Sequence, residues 1–348
     1  MTTPEHAFQQ LAAVFASRGS KILEIEIIPS SLGVPFMQDG NFIGVTKKAL
    51  VQAYTVARHI FCSRLVSMSQ DDLRASLVTP TAEPDGVSDL VVTEIMLLFD
   101  CEHLTACNWR KRRLLAAMTH SSNAADQIQT ELTLMESFQR SPLHRHTKSP
   151  TLWSHRLWVW KQWLQRRDWR AEALLQLERD ELGLVLRAAE LHPKNYYAFS
   201  YLRYLHSCLA GRHPEAQDSP TWTVQLAQAL VDPVLDWCLA NPRDISGWIF
   251  EQYLLTHIPE RQTRAHAIER VVRFARDVGW EGESLWTFVD QSARQFQLEN
   301  VLDDILPTQN TTDVVSPEAG QHKPKWPWLL PLARAQAHWA VYDPQGRQ

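Results

Sequence analysis

The sequence has little glycine and no paired pattern of cysteines. Its 348 residues include only 12 glycines, which argues against a hairpin-rich all-β protein because tight turns need glycine. The cysteines are odd in number, scattered and without a CxxC motif, so we expect free thiols in a reducing compartment. They are Cys62, Cys101, Cys107, Cys208 and Cys238.

Long charged runs and long apolar runs are also missing. The formal net charge is −4 and no basic run exists, so we expect no nucleic-acid partner. No apolar stretch is long enough to span a bilayer, and the first residues lack the charged start and apolar core of a secretory signal. We therefore expect a cytoplasmic protein without direct membrane insertion.

Helical periodicity fills most of the chain. Ile22–Ile28 alternates in part and ends at a proline, which predicts a short strand, and glycines and a proline between residues 33 and 44 predict a loop. From Thr46 the apolar spacing is helical, with a break at residues 79–86, and it continues to about residue 306. Residues 307–325 are polar and unpatterned, and a last helix is predicted over Trp328 to Val341.

Five stretches of the chain resemble one another. Aligned on one anchor residue each, they recur at spacings of about 46, 46, 49 and 38 residues, in the range of helix-pair repeats. In the first two, Arg110 and Arg156 fall three positions after the anchor. The anchors are Cys107, Trp153, Phe199, Trp248 and Trp286.

A second helix is predicted between successive anchors. The segments 125–138, 171–191, 224–239 and 265–278 all carry apolar residues at helical spacing. One helix pair cannot bury its apolar stripe alone, so stacked pairs must share a continuous core. We therefore predict three regions: an N-terminal region at 1–87, a repeat region at 88–306, and a linker with a C-terminal helix at 307–348.

The repeat motif resembles that of the protein prenyltransferase α-subunit family. Pro193-Lys194-Asn195-Tyr196-Tyr197-Ala198-Phe199 fits its Pro-x-Asn-aromatic-x-x-Trp pattern with Phe in place of Trp. Thr105–Lys111 and Asp244–Gly247 look like the divergent branch called α-subunit repeat-containing protein 1, which is similar to the α subunit of a type III geranylgeranyltransferase. Leu202, Glu251 and Val289 depart from the pattern where it has arginine.

The resemblance implies a fold, an activity and partners. The fold would be an all-α, right-handed α–α superhelix of about five helix-pair repeats. The chain would be the α subunit of a heterodimeric protein prenyltransferase, inactive alone, that positions substrate for a β subunit. That β subunit would carry the zinc, and this chain no cofactor. The other partners would be an isoprenoid diphosphate and a protein substrate with C-terminal cysteines.

The resemblance also suggests site residues. By motif and repeat order, Lys194 matches a lysine that stabilises the leaving diphosphate, and Tyr196 matches an aromatic residue of the active site. Asn195 and Tyr197 are predicted to bind substrate beside them. The competing interpretation is that Lys194 is a solvated residue at a helix start and that Tyr196 is a packing residue.

The remaining polar motifs favour structural roles. Arg110 and Arg156 are expected to brace neighbouring helices, and the anchors Cys107, Trp153, Phe199, Trp248 and Trp286 to hold the repeats together. His144-x-His146 has no third ligand nearby, so no metal is expected. No catalytic-triad or phosphate-loop signature occurs. The alternative function is a non-catalytic helical-repeat scaffold for protein–protein interaction.

Overall fold

The protein is mostly helical in its computed structural model, which confirms the all-α class. The structure describes residues 3–67, 87–120, 123–166, 168–212 and 221–300. No helix among these residues has the length and apolar character needed to cross a membrane. The predicted break at 79–86, the linker at 307–325 and the helix at 328–341 lie outside the described residues.

The chain divides into two compact units. The first is Met1–Arg212 and the second is His213–Gln348. The boundary falls inside the segment 88–306 that was predicted as one repeat region. One apolar core extends from Ala7 in the first helix to Leu152, and the predicted division at residue 87 stays a prediction.

The first unit contains eight α-helices, a short 3-10 helix (Ser30–Leu32) and a small sheet among its described residues. The helices begin and end close to the predicted positions, and the predicted second helix at 171–191 matches residue for residue. The elements are α1 (Pro4–Arg18), β1 (Glu24–Ile28), β2 (Phe36–Asp39), β3 (Phe42–Thr46), α2 (Lys47–Ser67), α3 (Asp89–Phe99), α4 (Leu104–His120), α5 (Ala124–Arg140), α6 (Pro150–Leu164), α7 (Ala171–Leu191) and α8 (Tyr196–Ala210).

The N-terminal sheet confirms one prediction and corrects another. The strand predicted within Ile22–Ile28 is β1, but the loop predicted between residues 33 and 44 contains β2 and most of β3. These two strands form an antiparallel hairpin, and β3 also pairs in parallel with β1. Gly40 takes a left-handed φ of 58° at the hairpin turn, so the glycine marks a turn between strands and not a long loop.

Helix α5 closes the outer edge of β1. The backbone N–H groups of Leu23 and Ile25 donate to the hydroxyls of Ser137 on α5 and of Ser141 just after its end, at 2.9 and 2.8 Å. Edge strands leave such groups open to other chains, and here side chains satisfy them. The sheet is therefore fixed to the helical array along β1.

Alternate helices stack on one another in the first unit. Contacts join α4 to α6 and α6 to α8, while α5 contacts α7. Consecutive helices also contact each other from α1 to α6, and α7 contacts α8. Cys107, Trp153 and Phe199 lie in α4, α6 and α8, so these three anchors occupy alternate helices of the first unit. All three anchors are buried.

A buried polar contact repeats from one pair to the next. Arg110 donates to both carboxylate oxygens of Glu131 on α5, at 2.9 and 2.6 Å, and to the carbonyl of Leu90 on α3. Arg156 donates in the same way to Glu181 on α7 and to the carbonyl of Leu132 on α5. Each arginine thus joins its own pair to the preceding helix.

One more residue, from the helix that follows, joins each of these two contacts. His155, two positions after the Trp153 anchor, lies 2.6 Å from Glu131. Tyr201, two positions after Phe199, donates to Glu181. Burial raises the pKa of Glu131, but Arg110 and His155 outweigh it and hold the pKa well below its ordinary value. The carboxylate therefore stays ionised inside the core.

The second unit also consists of helices in its described residues. The helices are α9 (Thr221–Ala240), α10 (Ile245–Thr256), α11 (Arg261–Asp277) and α12 (Glu283–Phe296). Contacts join α9 to α10 and to α11, and α12 to both α10 and α11. The anchors Trp248 and Trp286 are buried in α10 and α12.

The three tryptophan anchors share one hydrogen bond. Each indole N–H donates to the backbone carbonyl six residues earlier, from Trp153 to Thr147, from Trp248 to Pro242 and from Trp286 to Trp280. The distances are 2.8, 3.0 and 2.8 Å. A buried indole needs such a partner, and here it also fixes the loop that precedes the helix.

Candidate functional site

The predicted site residues surround the start of α8. Lys194 is exposed and has a left-handed backbone, with φ 60°, in the turn between α7 and α8. The side chains of Tyr196 and Tyr197 are 51% and 50% exposed on the first turn of α8. A lysine in this conformation costs free energy that glycine or asparagine would largely avoid.

Asn195 has a different environment from its neighbours. It is fully buried, its side-chain oxygen accepts from the N–H of Ala198, and its amide nitrogen donates to the carbonyl of Thr147 at 2.7 Å. Both polar groups are used inside the protein, which leaves the predicted substrate contact of Asn195 without support. The residue begins α8 and ties it to the loop before α6.

The shared carbonyl of Thr147 brings two loops together. It accepts from Trp153 in α6 and from Asn195 at the start of α8. As a result, the α5–α6 loop lies beside the α7–α8 turn. The imidazole rings of His144 and His192 meet there, with centroids 4.4 Å apart.

Positive groups dominate this junction. Partial burial, and after it the charges of Lys148 and His144, lower the pKa of His192. Arg145 in the same loop is exposed, as is Lys194 across the junction. We call His144, Arg145, Lys148, His192 and Lys194, together with Tyr196 and Tyr197, the basic–tyrosine surface.

The cationic side chains of this surface are those of Arg145, Lys148 and Lys194, because the lowered pKa of His192 favours its neutral form. These cations favour a negatively charged ligand. The two tyrosines add flat, amphipathic area of the kind enriched where proteins meet. Among the described residues, no three His, Cys, Asp or Glu side chains come together as a metal site. The arrangement can therefore attract and position an anionic group.

Sequence reasoning missed most of this surface. His144 was considered only as half of a metal motif, and Lys148 and His192 were not singled out. They come together because Asn195 and Trp153 bind the same carbonyl, although 48 residues separate His144 from His192. A weak signal existed, since Lys148 comes two residues before Pro150 at the start of α6, and His192 and Lys194 are on either side of Pro193.

Comparison with known protein families gives one match. A family model described as ECM9 middle domain matches residues 157–278, which is less than half of the chain. No curated protein matches the sequence.

The resemblance to the prenyltransferase α-subunit repeat family, including its α-subunit repeat-containing protein 1 branch, is therefore wrong. Its motif residues meet general needs of helix pairs. Asn195 caps a helix, Trp153 and Trp248 bind their own loops, and Arg156 neutralises a buried carboxylate. A transferase function rested on that resemblance and stays an untested prediction.

The Asp244–Gly247 motif of the second unit also has a structural explanation. Asp244 caps α10 by accepting from the N–H of Ser246. A Cβ atom at Gly247 would lie 2.6 Å from the Trp237 ring, so only glycine lets α10 approach α9 this closely. Helix capping by Asp244 and close packing at Gly247 together explain the Asp244–Gly247 motif.

One departure from the repeat places a carboxyl group in the core without a hydrogen-bond partner among the described residues. Glu251 stands three positions after the Trp248 anchor, where the first two repeats have arginine. It is fully buried, and neither carboxylate oxygen has a hydrogen-bond partner among the described residues. Burial, followed by the charge of Asp232, raises its pKa well above the ordinary value, although Arg270 opposes this.

Proposed function

We propose that this chain is a non-catalytic helical-repeat protein that binds an acidic segment of a partner protein through the basic–tyrosine surface. The observation that carries the proposal is the contact between the His144 and His192 rings, which brings the loop of Lys148 beside the turn of Lys194 and two exposed tyrosines. A carboxylate-rich peptide would pair with these lysines and cover the tyrosines.

The helix pairs support a scaffold role. The repeated contacts of Arg110 and Arg156 tie each pair to the helix before it, so the loops at the helix starts keep fixed positions. We propose that the pairs are copies of one repeat, about five in number, in the right-handed α–α superhelix expected from the sequence. A rigid array of this kind offers partners a preorganised surface.

Binding of an acidic peptide tests the proposal. Fluorescence anisotropy of a labelled Glu- and Asp-rich peptide is compared for the parent protein, Lys148→Glu and the control Lys161→Glu. Lys161 is exposed near the far end of α6. We expect about tenfold weaker binding for Lys148→Glu and little change for Lys161→Glu. An equal loss of peptide binding in both variants would show that only the net charge of the protein matters. That result would reject the basic–tyrosine surface as the binding site.

Copurification separates this function from the transferase prediction. A photoreactive amino acid in place of Tyr197 should give one discrete cross-linked partner, and one at the half-exposed control Leu115 should not. Lys148→Glu should weaken that adduct. Recovery of a prenyltransferase β subunit in a 1:1 complex, with lipid transfer, would instead support the transferase prediction.

A further inference from the structure

The N-terminal sheet has an outer face without a partner among the described residues. Strands β1, β3 and β2 lie in that order, and side chains alternate between the two faces. Ile25, Ile43 and Val45 are buried on the inner face. The outer face carries Glu24, Glu26, Ile28, Met37, Asp39 and Phe42.

Exposed apolar side chains lie on the central strand β3 and on the edge strand β2 of this outer face. Phe42 is 60% exposed and Met37 is 50% exposed. A Cβ atom at Gly44 would lie 3.0 Å from Cγ2 of Ile28 and 3.6 Å from Cβ of Met37, so these two side chains flank the glycine. Because Gly44 has no side chain, a shallow depression lies between the side chains of Ile28 and Met37.

Exposed apolar side chains also occur in the connection between β1 and β2. Leu32 and Val34 are 54% and 40% exposed there. Exposed apolar side chains that cluster mark interaction sites more often than scattered ones do. Residues 32–42 hold four such side chains, whereas Ile27 pairs with the inner-face residue Val45 and lies on the other face.

Carboxylates border the apolar strip on both sides. The strand register places Glu24 and Asp39 on either side of Phe42, and Glu26 next to Gly44. Glu26 and Asp39 are exposed. We define the outer sheet face as the apolar strip of Ile28, Met37 and Phe42 together with its bordering carboxylates Glu24, Glu26 and Asp39.

We propose that the outer sheet face binds an amphipathic helix of a partner protein that carries lysine or arginine on both sides of an apolar stripe. The apolar stripe would cover Phe42, Met37 and Ile28, and the cations would meet Glu24 and Glu26 on one side and Asp39 on the other. This charge complementarity selects a basic partner. The site is distinct from the basic–tyrosine surface, so either proposal can fail alone.

A designed peptide is the probe for this site. It has about 18 residues, enough for five helical turns, with leucines on one face and lysines beside them, and a second peptide has glutamate in place of every lysine. Anisotropy titrations are made with the full chain. We expect the lysine peptide to bind and the glutamate peptide to bind at least about tenfold more weakly.

Three variants locate the binding. Phe42→Asp and the double variant Glu24→Lys with Glu26→Lys should each weaken binding of the lysine peptide about tenfold. The control Leu104→Asp changes an equally exposed apolar residue at the start of α4 and should bind like the parent. The double variant leaves the apolar residues intact, so it keeps the test valid if Phe42→Asp melts early.

Two results would overturn the proposal. Unchanged binding of the lysine peptide by both Phe42→Asp and the double variant would remove the outer sheet face from the interaction. Sedimentation velocity tests the other occupant, a second copy of this chain. A parent dimer that Phe42→Asp converts to monomer would assign the face to self-association instead.

Discussion

Arg156 and Glu181 form a buried bidentate ion pair, with Nε 2.7 Å from Oε2 and Nη2 2.5 Å from Oε1. Both side chains are nearly inaccessible to solvent. Removing Glu181 leaves the buried Arg156 with only the more distant Glu136, whose Oε2 lies 3.7 Å from Nη2. Losing the close buried partner is far more costly than losing an exposed pair.

We therefore expect Glu181→Ala to lower the free energy of unfolding by about 3–5 kcal/mol. The control Glu190→Ala removes the exposed partner of Arg187 on the same helix and should cost less than about 1 kcal/mol. The double variant Arg156→Met with Glu181→Leu should recover much of the loss. Chemical denaturation measures all three, and equal effects of Glu181→Ala and Glu190→Ala would contradict a structural role for the pair.

Lys194 has a left-handed backbone that should make glycine preferable for stability. We expect Lys194→Gly to raise the free energy of unfolding by up to about 1 kcal/mol, because glycine adopts this φ without steric cost. Lys194→Ala keeps the strain and is the matched comparison.

Binding of the acidic peptide should fall in both Lys194 variants, since both remove the charge. Stability and binding would then change in opposite directions for Lys194→Gly. A glycine variant that is less stable than the alanine variant would show that the lysine side chain itself holds the turn in place.

Glu251 makes the stability of the second unit depend on pH. The pKa of Glu251 is raised in the folded protein, first by burial and then by the charge of Asp232. The carboxyl group therefore holds its proton more tightly in the folded protein than in the unfolded chain. This stabilising contribution is complete below the ordinary glutamate pKa and is lost as the pH rises through the folded pKa.

Glu251→Gln removes that titration while keeping the side-chain shape. We expect the variant to be more stable than the parent at pH 8 by more than about 1 kcal/mol, with a difference that shrinks toward pH 5. Glu260→Gln, at an exposed position, is the control. Denaturation curves that stay parallel across this range would refute a buried carboxyl with a raised pKa.

His146 should produce the opposite dependence on pH. Burial lowers its pKa to about 4, against the hydrogen bond from Nε2 to the carbonyl of Leu97 at 3.0 Å. The unfolded histidine takes up a proton first, so stability is complete above the ordinary pKa near 6.5 and is lost as the pH falls toward 4.

A glutamine in place of His146 can donate to Leu97 but does not titrate. Between pH 7 and pH 5 we expect the parent to lose about 2 kcal/mol more than His146→Gln. The measurement is urea unfolding at both pH values. His155, whose pKa burial also lowers, is common to both proteins and cancels in the comparison.

The sequence alone determined the helical class, the positions of the helices and the spacing of the anchors. Apolar residues at helical spacing and prolines at helix starts are local properties, so they could be read directly for segments such as 171–191. The same local pattern misled the family assignment, because Asn195, Trp153 and Arg156 satisfy demands that any stacked helix pairs impose.

Only the tertiary structure decided which residues meet. Thr147 receives hydrogen bonds from both Trp153 and Asn195, and that contact places His192 against His144. The hairpin of β2 and β3 exposes Phe42 because strand register, and not composition, assigns side chains to a face. Charge and apolar area become a binding surface only when distant segments are brought together, and a linear pattern carries no information about that distance.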